Sequence, residues 1–305
     1  MSKSRFVGKV KKSVNNQDKK DVFGYINLPE NMDFFDPMKC RPKDKNIWTV
    51  NLDFFPYEVT NEFHQDKDTG TGAALVGEAW FRSIVMVHNN VNKKKEICLK
   101  TFGKACPICD YQRDTLDKGA KWKDVSHLKP SKRDVFIVVP IDDEYYEEKP
   151  YIWDMSQYNF SRLLQEELAD TPENEVFPDL EEGLTLKIRF STGEFVTGNK
   201  TINYPETSRI DFIKRKKQYS WDMLEEMPKL DDLYIVKDYK DLEAEFFQTE
   251  QSHITEEPED EEEETPQRKK KTLNECPYGH TFGADAGTKE ECTECEKLDE
   301  CIDAG

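Results

Sequence analysis

Long apolar runs are missing from this 305-residue chain. The longest, Val135–Ile141 (V-F-I-V-V-P-I), falls far short of the roughly 20 apolar residues that span a bilayer. The first residues, M-S-K-S-R-F-V-G-K-V-K-K, are basic and carry no apolar stretch, so no signal peptide is expected. Motifs of common catalysts are also missing. There is no Gly-rich phosphate loop of the P-loop type, no H-E-x-x-H, no G-x-S-x-G and no paired-carboxylate motif. Histidine is scarce, at five residues. Net positive charge is lacking as well: the formal total is -18, which argues against a uniformly basic nucleic-acid-binding surface.

The charge is unevenly divided. Residues 1–20 carry seven Lys/Arg against one Asp, a net +6, and residues 241–305 carry a net -15. That leaves -9 for residues 21–240. The block Glu256–Glu264 (E-E-P-E-D-E-E-E-E) has the composition of a solvated interaction tail. Residues 1–40 read as a flexible basic arm, either merely solvated or an electrostatic contact for DNA or for an acidic neighbour. Residues 41–248 read as the folded core, 249–271 as an acidic then basic linker, and 272–305 as a terminal module.

What the chain does have is cysteine in metal-ligand spacing. His88, Cys98, Cys106 and Cys109 fall within 22 residues, and the last two form C-P-I-C. A C-x2-C pair places two thiolates about 4 Å apart on one tetrahedral metal, and a Cys3His set closes the coordination sphere, as in structural zinc sites. A redox C-x2-C and buried free thiols are the alternatives. A second set, Cys276, His280, Cys292 and Cys295, lies in the terminal module, with Cys301 able to replace His280. Two Zn²⁺ ions are therefore expected, and a reducing cytoplasm with them. Zinc deaminases need H-x-E and an open water position. Here His88 is followed by Asn89 and Asn90, and all four ligands come from protein, so an enzyme is not expected.

Along the core, strands are expected at Trp48–Pro56, Glu78–His88, Glu96–Phe102, Lys129–Ile141, Gly183–Phe190 and Arg209–Tyr219. Tyr151–Leu168 shows helical periodicity, as do Leu242, Phe246 and Phe247. Short strands with few helices indicate a mainly β (α+β) fold: an OB-fold-like core, with an inserted Cys3His zinc subdomain at about residues 86–125. Single strands are bound by a positive groove with stacking aromatics. The candidates for DNA contact are Trp80, Phe81 and Arg82, Lys93, Lys94 and Lys95, Lys132, Arg133 and Phe136, and Lys214, Arg215, Lys216, Lys217 and Tyr219.

Several stretches then fall in a recognisable order: D-F-F-P-Y-E-V at Asp53–Val59, S-I-V-M-V-H ending at His88, Cys98 with C-P-I-C, F-I-V-V-P-I at Phe136–Ile141, Y-I-W-D, and G-L-T-L-K-I-R-F. Over residues 40–245 the chain resembles the single-stranded DNA-binding (helix-destabilising) proteins of T-even-type bacteriophages. The resemblance implies an OB-fold with a zinc subdomain beside the DNA cleft. It also implies cooperative, largely sequence-independent coating of single strands in phage replication, recombination and repair. Lys3, Ser4 and Arg5, or Lys11 and Lys12, are similar to the arm motif by which copies of that family contact one another along the strand. The acidic tail looks like the family's recruiting element for replication and recombination proteins. The R-K-K-K segment at Arg268–Lys271 and the terminal Cys/His module depart from the pattern. A zinc-ribbon adaptor or transcription-associated factor is the alternative reading.

Overall fold

The architecture is organised by one central strand whose two faces are both buried. The computed structural model describes residues 24–197 and 200–254. Strand β6 (Ser131–Pro140) alternates its side chains between two cores. Val135, Ile137 and Val139 enter one, and Phe136 and Val138 the other. This is why the segment reads as a nearly continuous apolar run instead of an alternating one.

The other strands are β1 (Ile47–Phe55), β2 (Tyr57–Glu58), β3 (Ala79–Trp80), β4 (Ser83–Val91), β5 (Lys94–Ile97), β7 (Tyr151–Ser156), β8 (Leu184–Thr197) and β9 (Lys200–Lys214). All ladders between them are antiparallel. The large sheet runs β5-β4-β6-β1-β8-β9, with β7 also paired to β6. One edge of β6 is shared end to end: Ser131–Val135 pair with β4, and Ile137–Pro140 with β1. β7 takes the opposite edge, from Arg133↔Ser156 to Val138↔Tyr151. Helices are few: α1 (Pro107–Asp117), α2 (Trp122–Val125), α3 (Ser161–Asp170), α4 (Met223–Glu226) and α5 (Tyr239–Ile254). The mainly β reading therefore stands.

Two local expectations change. Tyr151–Leu168 is not one helix. Its first six residues form β7, a 3-10 turn follows at Gln157–Asn159, and α3 starts only at Ser161. Tyr151, Ile152, Trp153 and Met155 are all buried; the strand pairs with the free edge of β6, and the Ile152 N–H and carbonyl bond on its other side to the Asp33 carbonyl and the Phe35 N–H. Apolar residues on both sides of that junction mimic a helical period by coincidence. The stretch after Glu96 is likewise only partly strand: β5 ends at Ile97 and a 3-10 turn spans Leu99–Phe102.

The packed region also reaches beyond residues 41–248. Tyr25, Ile26, Met32, Phe35 and Cys40 are buried in the two cores, and α5 runs to Ile254. The second core is rich in rings. Phe54, Phe136, Trp153 and Phe160 meet with centroids 4.7–6.1 Å apart, mostly tilted or edge-on, the arrangement aromatic quadrupoles favour.

Candidate metal centre

His88 sits near the end of β4, whose hairpin with β5 sets its height above the sheet. The hairpin closes on Asn92 and Lys93, both at positive φ (47° and 62°), the backbone of a tight primed turn between Val91 and Lys94. Cys98 follows β5 directly, and its N–H donates to the Met86 carbonyl at 2.8 Å. Gly103, at φ 67°, ends the next 3-10 turn. A Cβ there would lie 2.5 Å from the Phe63 ring, so the position requires glycine twice over. Cys106 caps α1, with Pro107 at its first turn, and Cys109 lies in that same turn. The helix N-terminus favours thiolate at both.

These four side chains converge. Their ligand atoms all lie within 4.8 Å of one another. The Cys106 and Cys109 sulfurs are 3.3 and 3.7 Å from His88 Nε2, and Cys98 Sγ is 3.6 Å from Cys109 Sγ. A tetrahedral site with metal–sulfur bonds of about 2.3 Å has edges of about 3.8 Å, close to these separations, so the set could hold a metal ion. His88 Nδ1 donates to the Leu128 carbonyl at 2.9 Å, which leaves the Nε2 lone pair facing the thiols. All four residues are buried. Burial opposes charge on His88, but its contacts to the Cys106 and Cys109 sulfurs outweigh this and raise its pKa to about 9. Hydrogen bonding from Cys109 and Cys98 holds the Cys106 thiol well below its ordinary value. The four side chains thus form one buried polar cluster. Around it pack Val91, Leu99, Ile108, Val125 and Leu128, together with Leu242 and Phe246 from α5.

No protein-family model and no curated protein sequence matches this chain. The functional reading therefore rests on the residues and their geometry.

Several residues expected to contact DNA serve the interior instead. Arg82 is buried, bound to Asp66 at 2.6 and 2.8 Å and facing Asp134 at 3.5 Å. Arg133 holds Asp154 at 2.5 Å, and Asp154 also accepts from Tyr25. Phe136 is fully buried in the ring cluster. Arg215 donates to the carbonyls of Asp179 (2.6 Å) and Phe177 (2.9 Å). Tyr219 donates to Asp53 at 2.8 Å. A buried cation needs a partner, so basic–aromatic clustering in sequence marks internal networks here as readily as surface patches.

Lys93, Lys94, Lys132 and Lys214 are exposed. Lys216 and Lys217 are exposed too, paired with Asp142 and with Glu148. Lys95 is half-buried, and burial, with the Arg133 guanidinium nearby, lowers its pKa. Trp80 and Phe81 are half-buried, with ring centroids 5.2 Å apart. Lys3, Ser4, Arg5, Lys11 and Lys12, the acidic block, and Cys276, His280, Cys292 and Cys295 lie outside the described residues.

One surface escapes sequence reasoning. β8 pairs with β1 only as far as Ser191, and beyond it β8 and β9 continue together as a two-stranded ribbon. Register puts Lys187, Arg189, Gly193 and Phe195 on one face, opposite Asp211, Arg209, Tyr204 and Ile202. The Tyr204 ring lies across Gly193, where a Cβ would be 2.5 Å from it. Phe195 and Ile202 are at least half exposed, at 59% and 50%. The alternation of S-T-G-E-F-V-T-G-N-K-T-I-N-Y around Gly198-Asn199 is a hairpin signal that could have extended both strands.

Among the described residues, no helix is long and apolar enough to cross a membrane.

Proposed function

We propose that this chain is a single-stranded DNA-binding protein of the helix-destabilising kind, with an OB-like core and Zn²⁺ in the Cys3His centre. The observation that carries the reading is the ribbon face. There an exposed Phe195, the Tyr204 ring against Gly193, and the cations Lys187, Arg189 and Arg209, the last paired with Asp211 at 2.7 Å, share one side of a two-stranded arm. Rings that stack bases beside cations that neutralise phosphates are what sequence-tolerant single-strand binding requires. Lys93, Lys94 and Lys132 add exposed positive charge on the β4–β5–β6 side, next to the metal centre. Zinc suits the donor set, since three thiolates and one imidazole form a closed tetrahedral site with no open position for catalysis. The metal's role is then structural: it ties β4, β5 and α1 into one rigid unit. The acidic tail and terminal Cys/His module are proposed to recruit replication or recombination proteins, and the basic arm to contact neighbouring copies on the strand.

The test is a salt titration against fluorescent oligo(dT) and a matched duplex, with zinc determined on the same sample. Binding should favour the single strand and weaken with salt, at a log-log slope of about -0.7 per phosphate neutralised. Phe195→Ala with Tyr204→Ala should lower single-strand affinity by roughly 1–3 kcal/mol per lost stack. Equal affinity for strand and duplex would overturn the reading.

A further inference from the structure

A cleft of about 500 Å³ is lined by none of the ribbon residues, and its chemistry is unlike that of a phosphate site. Trp80, Phe81, Phe177 and Trp221 supply rings, and the two ionisable side chains that line it, Glu175 and Asp179, are both acids. No lysine or arginine lines it. A phosphate would meet two carboxylates there, so the ligand is not the strand's backbone.

The aromatic wall is held in place. Trp80 Nε1 donates to Asp66 at 3.0 Å, and Asp66 is itself gripped by Arg82. Phe81 packs against Phe177 with centroids 5.2 Å apart. Trp221 is 41% exposed, so its ring is accessible to a flat ligand. The two carboxylates differ. Asp179 Oδ1 accepts the N–H groups of Glu181 and Glu182, both at 2.8 Å, which anchors the loop. Glu175 is exposed and makes no hydrogen bond or ion pair among the described residues.

We infer that this cleft is a nucleobase subsite that prefers guanine, read by the Glu175 carboxylate against the Trp80–Phe81–Trp221 rings. The inference rests on the proposed single-strand binding and adds base discrimination to it. Unpaired bases are recognised by stacking on aromatic planes and by hydrogen bonds along their Watson–Crick edge. On that edge guanine presents a ring N–H and an exocyclic N–H side by side, and two parallel donors match one carboxylate. Cytosine and adenine present one amino group beside a ring acceptor, and thymine one N–H between two carbonyls. Each of these sets an acceptor against the carboxylate. A basic peptide is the competing occupant on charge alone. Against it, Lys216 and Lys217 stand exposed in the segment leading to Trp221, in surface ion pairs that a phosphate could displace.

The experiment compares a short all-thymine strand with variants carrying one guanine at successive positions, for the wild-type chain, Glu175→Gln and Trp221→Leu. In parallel, tryptophan fluorescence follows titration with guanosine, thymidine and an oligolysine peptide. The wild type should bind the best guanine-containing strand about five- to tenfold more tightly. Glu175→Gln should lose that gain while keeping all-thymine affinity, and guanosine alone should give a saturable change. Equal affinity for all strands in the wild type, with all-thymine binding intact, overturns the inference and leaves the single-strand reading standing. So does a guanine preference that survives in Glu175→Gln, or a fluorescence change produced by oligolysine and not by guanosine. Should the all-thymine strand fail to bind, the single-strand reading falls, and the guanosine titration still decides the subsite.

Discussion

Arg82 shows how a single residue can be read in two ways. In sequence it follows Trp80 and Phe81 and looks like part of a stacking patch. In the fold it is the counter-ion of Asp66 and Asp134, and Asp134 is fully buried. Removing one partner of such a group strands the other charge in the interior. Arg82→Ala should therefore cost about 3–5 kcal/mol in denaturant unfolding, far more than loss of an exposed lysine such as Lys94. The pH dependence has a definite sign. Burial works against the Asp66 carboxylate, but hydrogen bonds from Arg82 and Trp80 outweigh it and lower its pKa. Its contribution is complete above the ordinary carboxylate value, near about 4, and is lost as pH falls through the lower folded value. Asp134 has the opposite sign: burial raises its pKa despite Arg82, so protonation relieves a cost. Thermal unfolding of Asp66→Asn should show a shallower fall below about pH 4 than the wild type.

At the scale of elements, the candidate metal centre and the last helix share one buried cluster. Leu242 and Phe246 of α5 are buried against Cys98, Cys106 and Cys109, and Tyr111 of α1 stacks edge-on with Phe246 and Phe247. Lys237 bridges Glu96 on β5 and Glu245 on α5 at 2.7 and 2.5 Å. α5 also has little to hold it as an isolated helix, so its stability comes from this packing. Removal of the metal, by chelation or by Cys106→Ser with Cys109→Ser, should expose α5 to limited proteolysis between residues 239 and 254 while the β1–β6–β8 ladder keeps its amide protection. Cleavage unchanged after verified metal loss would separate the two elements.

At the scale of the whole molecule, the fold has to reconcile a strongly acidic chain with a proposed anionic ligand. Most of the net negative charge lies beyond residue 240, and Lys187, Arg189 and Arg209 on the ribbon and Lys93 and Lys94 at the β4–β5 hairpin are among the exposed cations of the described region. An acidic segment that reached such cations would compete with DNA for them. A chain ending at residue 254 should therefore bind oligo(dT) more tightly than the full chain at low salt, and the difference should shrink as salt screens the tail. Weaker binding by the shortened chain would instead place the DNA contact in the terminal module and favour the adaptor reading.

The sequence by itself determined the features that are local. The C-P-I-C spacing and the helix start that follows it bring two thiolates together within one turn, and the apolar run of β6 identifies a strand buried on both faces. The metal set was legible because its ligands lie within 22 residues on adjoining elements. Only the tertiary structure decided what depends on partners distant in the chain. Tyr151–Ser156 became a strand because β6 had an open edge. Arg82, Arg133 and Arg215 turned inward because Asp66, Asp154 and the carbonyls of residues 177–179 awaited them. The cleft assembles residues from Pro56 to Trp221, a juxtaposition that no spacing along the chain encodes.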